Sequence, residues 1–522
     1  MPTPRIFCND DGWIIGTYDP PLTPDLIHEK MIAPYADTPV DTFLWSIGGH
    51  EVYDYETEIG ELYGAGYDLT DPAEQRRYTN LRQLIKEHGG PVTLISELCH
   101  QAGLRFFPSV RMNEHYDIDA AALNYGRLRR DHPELLIGRP GEELPDGGLE
   151  WGIRTGLNYA FPEVRQHMSA IICELIERFD IDGIELDFMR HPGYFRIEEA
   201  QAQGYLITDM IAHIRRKIDQ VRAAKGKKIE LAARVPPTLY DARRIGLDAS
   251  TWIRQGLVDI LIGGGGFIAF ETPTAEFVEA ARDTDCLILG PFEALSGMLN
   301  EDQLRAVAAR YWDAGVDGLY LFNYYSMSNQ WRRTVLAQMA DPVRLARTNK
   351  CYALSYTDRA RPTSQLGYSF RNAIPRGQLP VTLAETQAEC GACLSIDVND
   401  DVQTARTDGA LLTCILGLGF ENLEDEDELA IHLNGTAIPW TNSHPPARPW
   451  TTTSYDPEWN KYPSRLQETP LELDAVEFDL TDLPLNKGSN QLEIRMVKTA
   501  PRRESPILLK DVRILLTYKN NE

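Results

Sequence analysis

The sequence predicts an α/β protein, a TIM (β/α)8 barrel followed by a C-terminal β-sandwich domain. Three observations lead there. Short apolar strand segments alternate with amphipathic helical segments eight times before about residue 345. Most of those strands end in ionisable, amide or aromatic residues, as barrel strands do where they meet a catalytic face. After Arg347 the pattern changes to short alternating runs separated by turns. The barrel is assigned to residues 1–345 and the sandwich to 346–522.

The strands justify this in order. Arg5 to Cys8 is strand one and ends in Asn9-Asp10-Asp11-Gly12-Trp13. Thr23-Pro24 opens a helix, with Thr as N-cap and Pro at the first helical position. Asp41 to Ser46 is strand two, followed by Gly48-Gly49-His50-Glu51. A helical pattern runs from about Leu81 to Ala102, and Leu104 to Val110 is strand three, closing on Arg111-Met112-Asn113-Glu114-His115. A long excursion, Tyr116 to Tyr159, carries Arg127, Arg129, Arg130, Asp131 and His132; loops of that length are usually functional or disordered. The helix Pro162–Phe179 presents Val164, Met168, Ile171 and Leu175 on one face.

Strand four, Gly183 to Leu186, ends in a burst of ionisable groups: Glu185, Asp187, Arg190 and His191. Strand five (Ile229–Ala233) ends in Arg234, and strand six (Val258–Ile262) in a glycine run from Gly263. Strand seven (Cys286–Leu289) leads to Glu293, and strand eight (Gly318–Phe322) to Asn323 and Tyr324. Asp248 and Asn300 read as helix N-caps. In the second domain the alternating runs are Ala410–Leu418, Glu428–Leu433, Ala475–Asp479, Asn490–Met496 and Ile507–Thr517, with Asn434-Gly435 as a hairpin turn. The Pro-, Thr- and Trp-rich stretch Thr441–Arg465 reads as a long loop against the barrel mouth or a partner subunit.

Composition narrows the function. A formal net charge of -25 argues against nucleic acid, whose phosphates need a basic footprint. No run of 18 apolar residues suggests a membrane span, and no apolar leader opens the chain. The expected location is cytoplasmic, or secreted or periplasmic if a leader was removed. Cys390 and Cys393 form the only close cysteine pair, with no second pair for zinc. No metal and no cofactor is expected.

Carboxylates at barrel strand ends suggest glycoside cleavage, with Asp187 and Glu293 as a candidate acid pair. Arg111, Arg190 and Arg234 close three successive strands, and Arg129 lies in the long loop after the first of them. A guanidinium fork suits a carboxylate or phosphate, so an acidic sugar is the expected substrate.

Asn9-Asp10-Asp11-Gly12, Arg111-Met112-Asn113, Asp131-His132-Pro133 and the run Asp182 to Arg190 together resemble a glycosyl-hydrolase-like barrel group, and more narrowly the exo-sialidases of glycoside hydrolase family 156. The resemblance covers the barrel and the trailing β-domain. It implies an inverting exo-α-sialidase acting on sialylated glycans or glycoconjugates, with a His–Asp arrangement instead of a carboxylate pair. His132 with Asp131 matches that arrangement, and Asp10 or Asp11 would be a further acid. The substrate would be held by Arg111, Arg190, Arg234, Arg129, Asn113, Asp187, Glu185, Asn323 and Tyr324. Sialic acid bears its carboxylate on the anomeric carbon, where an anionic nucleophile would meet like charge. A neutral histidine activating water avoids that repulsion. Two alternatives remain open: a glycosidase using Asp187 and Glu293, and a non-catalytic sugar-binding barrel. Neither nucleic acid nor membrane is expected as a partner, and the chain is compatible with a homodimer.

Overall fold

The structure is a computed structural model, and it describes residues 5–115, 120–144, 153–189, 192–264, 273–293, 300–324, 327–354, 378–383, 391–446, 473–500 and 505–519. Eight parallel strands close into a barrel in sequential order. They are β1 (Arg5–Asp10), β2 (Thr42–Ser46), β3 (Arg105–Arg111), β4 (Gly183–Asp187), β5 (Glu230–Val235), β6 (Ile260–Gly263), β7 (Leu287–Glu293) and β8 (Gly318–Phe322), and β8 pairs with β1.

Alternation along each strand separates two environments. Phe7, Leu44, Phe107, Ala232, Ile260, Leu289 and Tyr320 fill the barrel interior. Neighbouring residues such as Ile6, Cys8, Phe43 and Phe106 pack outward against the helices. Phe7 and Phe107 meet edge to face at 5.4 Å. Gly183 opens β4 because a Cβ there would lie 2.2 Å from the Phe107 ring. At the N-terminal mouth Glu230 accepts from Arg105 Nη1 at 2.7 Å and Arg5 Nη2 at 3.4 Å, an ion cluster at the end opposite the strand C-termini.

The predicted caps are present. The Thr23, Asp248 and Asn300 side chains accept from backbone N–H groups in the first turns of their helices, and Asn300 completes a capping box with Gln303. The helix expected over 81–102 is instead two, Pro72–His88 and Pro91–Gln101. Gly89 and Gly90 have φ of 73° and 98°, which ends the first helix, and Pro91 starts the second. Among the described residues, no helix is long and apolar enough to cross a membrane.

The second domain packs two antiparallel sheets around one apolar core. Its strands are β9 (Lys350–Ala353), β10 (Val381–Leu383), β11 (Ala392–Val398), β12 (Leu411–Glu421), β13 (Glu428–Leu433), β14 (Thr436–Ile438), β15 (Asp474–Asp479), β16 (Gly488–Lys498) and β17 (Ile507–Tyr518). One sheet runs β9-β17-β12-β15 with β10 on β17, and the other runs β11-β16-β13-β14. Asn434 and Gly435 both have positive φ, as a two-residue hairpin between β13 and β14 requires. Asp313 ties barrel to sandwich, accepting from Lys487 Nζ at 2.7 Å and Asn399 Nδ2 at 2.9 Å. Most of the stretch 441–465 lies outside the described residues.

Candidate active site at the C-terminal mouth of the barrel

The parity of β1 sorts the residues at its end. Phe7 and Asn9 face the interior, and Asn9 Nδ2 donates to Glu185 Oε2 at 2.7 Å. Asp10 points the other way. Its two oxygens accept from the Gly12 N–H and the Trp13 indole N–H, each at 2.9 Å. Burial pushes its carboxyl up to about 7 despite those donors. Asp11 returns to the inner face and lines a cavity of about 180 Å³ with Trp13, Ser46, Arg77, Arg111 and Glu114. The choice between Asp10 and Asp11 is thereby made: Asp11 faces the cavity, and Asp10 shapes the turn behind it.

Asp11 is held from two sides. Arg111, at the end of β3, forms an ion pair with its Oδ1. Asn323, just after β8, donates from Nδ2 to Oδ2 at 3.2 Å and accepts the Asp11 N–H at 3.1 Å. Asn323 does this from the left-handed region, φ 61°, which asparagine tolerates better than most side chains. Arg111 and Asp11 keep 15% and 19% of their side-chain surface, so solvent or substrate reaches the pair.

The other predicted charges sit deeper. Arg111, Asp187 and Arg234 occupy matching register positions on β3, β4 and β5. Arg234 Nη1 donates to Asp187 Oδ2 at 3.3 Å, its guanidinium lies 4.1 Å from the Phe322 ring centre, and both charges are buried. One layer below, Glu185 Oε2 accepts from Asn9 and from Ser109 Oγ at 2.5 Å. Burial, with Asp187 adding like charge, raises the Glu185 carboxyl to about 7. Asp187, Arg234 and Glu185 thus form a buried polar cluster and are not among the residues lining that cavity.

Four further expectations are corrected. Arg129 is wholly buried on Glu51 and donates from Nη2 to the Asn124 carbonyl at 2.5 Å, so it serves the fold of the loop. Asn113 spends both amide ends on backbone: Nδ2 donates to the Leu157 and Gly193 carbonyls, and Oδ1 accepts from Leu157 and Glu114 N–H. Tyr324 is buried and stacks on Trp331 at 5.4 Å. His132 and Asp131 lie on the exposed end of a short helix, Arg127–Asp131, with the His132 ring 55% exposed and its Nδ1 2.9 Å from Glu134. Neither lines the cavity. Arg190 and the Glu293 side chain lie outside the described residues.

The cavity also recruits residues the sequence reading did not select. Arg77, from the helix Pro72–His88, holds Asp54 through two bonds of 3.1 and 2.6 Å. Glu114 follows β3 and forms part of the wall. Behind it His50 is completely buried, with Nδ1 3.7 Å from Glu114 Oε2 and Nε2 3.6 Å from Glu51 Oε2. The Gly48-Gly49-His50-Glu51 run after β2 was a signal for this wall. Arg77 had none, because a helix-surface arginine looks the same anywhere. Among the described residues, no group of three or more His, Cys, Asp or Glu is placed to hold a metal ion.

No protein-family model matches the chain, and no curated protein matches it in sequence. Solved structures align to it at low identity. The PgaB (BpsB) glycoside hydrolase domain from Bordetella bronchiseptica is 12% identical with a TM-score of 0.39, over 65% of this chain and 99% of that one. The alpha-L-fucosidase isoenzyme 2 from Paenibacillus thiaminolyticus is 12% identical at 0.39, over 64% and 48%. The GH36 alpha-galactosidase AgaB from Geobacillus stearothermophilus is 10% identical at 0.35, over 99% and 56%. The chain spans about half the length of the latter two.

Proposed function

We propose that the protein is a glycoside hydrolase acting on a terminal acidic sugar, and specifically an inverting exo-α-sialidase. The observation that carries this is the partly open Asp11–Arg111 pair on a cavity at the C-terminal mouth of a (β/α)8 barrel. A sugar carboxylate entering the cavity competes with Asp11 for the Arg111 fork. As Arg111 turns to the substrate, Asp11 loses the cation that favours its charged form, and its proton affinity rises. Asp11 then protonates the departing glycosidic oxygen as general acid. Asn323 keeps the carboxyl oriented throughout, from both its amide ends.

The reading is tested by mixing the protein with an aryl α-sialoside and, separately, the matching glucuronide and neutral hexosides. Release of free sialic acid from the first alone supports it. Turnover of only neutral sugars overturns the acidic-sugar reading, and no turnover of any favours a barrel that binds sugar without cleaving it. Proton NMR of the first-formed sugar adds the stereochemistry: the β anomer from an α-sialoside means single displacement, the α anomer a covalent intermediate.

A further inference from the structure

A single displacement needs a second group, one that takes a proton from the attacking water. Glu114 lines the same cavity as Asp11, and its side chain is 5% exposed. The backbone makes room for this carboxylate. A Cβ on Gly49 would sit 2.5 Å from Glu114 Oε2, so a side chain there would push the carboxylate from its place. On the side away from the cavity stands His50, with no exposed surface and, among the described residues, no hydrogen-bond partner for either ring nitrogen. A buried imidazole with two open nitrogens between two carboxylates is costly unless something uses it. Its distances to Glu114 and Glu51, 3.7 and 3.6 Å, are a few tenths of an ångström longer than bonding distance, and unliganded sites commonly hold such contacts loosely.

We propose that Glu114 is the second carboxylate of the active site, the base that activates water, and that His50 is the positioning residue that holds it. This rests on the hydrolase reading above. The step balances: the bond from the anomeric carbon to the glycosidic oxygen breaks, and a bond from that carbon to the water oxygen forms. The water proton ends on Glu114, and the Asp11 proton ends on the departing oxygen. His50 closes on Glu114 as substrate fills the cavity and fixes the carboxylate toward the water. On its other side it leans on Glu51, which also carries Arg129. The segment holding Arg129 therefore reports to the wall through one ring. The charged and titratable groups facing His50 are Glu114, Glu51, Arg129 and His167, and burial keeps the ring in its neutral form.

The test is steady-state turnover of an aryl α-sialoside by the full chain, across pH. Glu114→Gln should lower kcat by roughly 10²–10⁴-fold with KM little changed, and should erase the acid limb of the pH profile. Sodium azide should restore turnover to Glu114→Ala, by attacking the anomeric carbon without needing a base. His50→Gln should cost about 10-fold in kcat, and almost nothing more when added to Glu114→Gln, because coupled residues are not additive. Full activity and an unaltered pH profile in Glu114→Gln overturn the proposal while leaving the hydrolase reading standing. Fully additive losses for His50 and Glu114 overturn the positioning role. If His50→Gln does not fold, Glu114→Gln and the azide response decide it. A wild type inactive on every sialoside, glucuronide and neutral hexoside overturns the hydrolase reading and this proposal with it.

Discussion

The guanidinium of Arg111 reaches from the end of β3 past β2 to the carboxylate of Asp11 beyond β1, so two strands that are not neighbours in the sheet share an ion pair. The pair lines the cavity and leaves part of the guanidinium exposed in it.

Arg111→Ala should therefore lower kcat/KM on an acidic sugar by about 2–5 kcal/mol, the usual loss when one partner of a desolvated charge pair is removed. Arg111→Lys should rescue poorly, since an ammonium lacks the bidentate fork. Equal losses on acidic and neutral substrates would mean that Arg111 only supports Asp11.

Arg129→Leu should act on stability and not on affinity. The substitution strands Glu51 in a buried site without its cation, at about 3–5 kcal/mol. Thermal melts should show a large drop, with KM of the surviving protein near wild type. A variant of normal stability and raised KM would return Arg129 to the substrate.

Glu185→Gln should give a stability advantage that grows with pH. Asn9 and Ser109 both donate to Glu185 Oε2, and the Tyr320 hydroxyl faces the same carboxyl. An amide keeps the first oxygen and offers its NH2 to Tyr320. The native carboxyl holds its proton up to about 7, whereas the unfolded chain releases it near its ordinary value of 4.5. The native state thus binds more protons between those values, so wild-type stability falls as pH rises through that window and stays reduced above it. Melts at about pH 5 and about pH 8 should show the gap between variant and wild type widening in favour of Gln. A gap independent of pH would contradict the raised carboxyl.

His132→Ala should leave turnover within about threefold of wild type, as surface substitutions away from a site usually do. Its ring is exposed and paired with Glu134. A fall of roughly 10²–10⁴-fold would instead place the general base in that loop.

The barrel was legible because a parallel strand buried on both faces is written as a short apolar run, and the helix caps are written as Thr, Asp and Asn at fixed offsets. Gly89-Gly90-Pro91 was equally plain in the sequence, yet the apolar period across it read as one helix. β11 was missed although Ala392, Leu394, Ile396 and Val398 alternate inward. Within the site, Arg111, Asp11 and Asn323 could be selected as strand-end groups. What could not be read was burial: Asp187, Arg234 and Glu185 share that sequence signature but are buried away from the cavity lining. Nor could the local sequence show that Asn113 and Arg129 are consumed by backbone and by Glu51. Those partners come from segments such as Leu157 and Gly193, whose approach only the closed barrel decides.

The most direct measurement is the turnover of an aryl α-sialoside by Asp11→Asn beside Asp187→Asn. If Asp11 is the acid facing the substrate, wild type releases free sialic acid and Asp11→Asn lowers kcat by roughly 10²–10⁴-fold. An activated leaving group should then recover much of the loss, because it departs without protonation. Asp187→Asn should act mainly on stability, through its pairing with Arg234. Asp11→Asn with full activity, or a wild type that releases no sialic acid, would contradict the assignment.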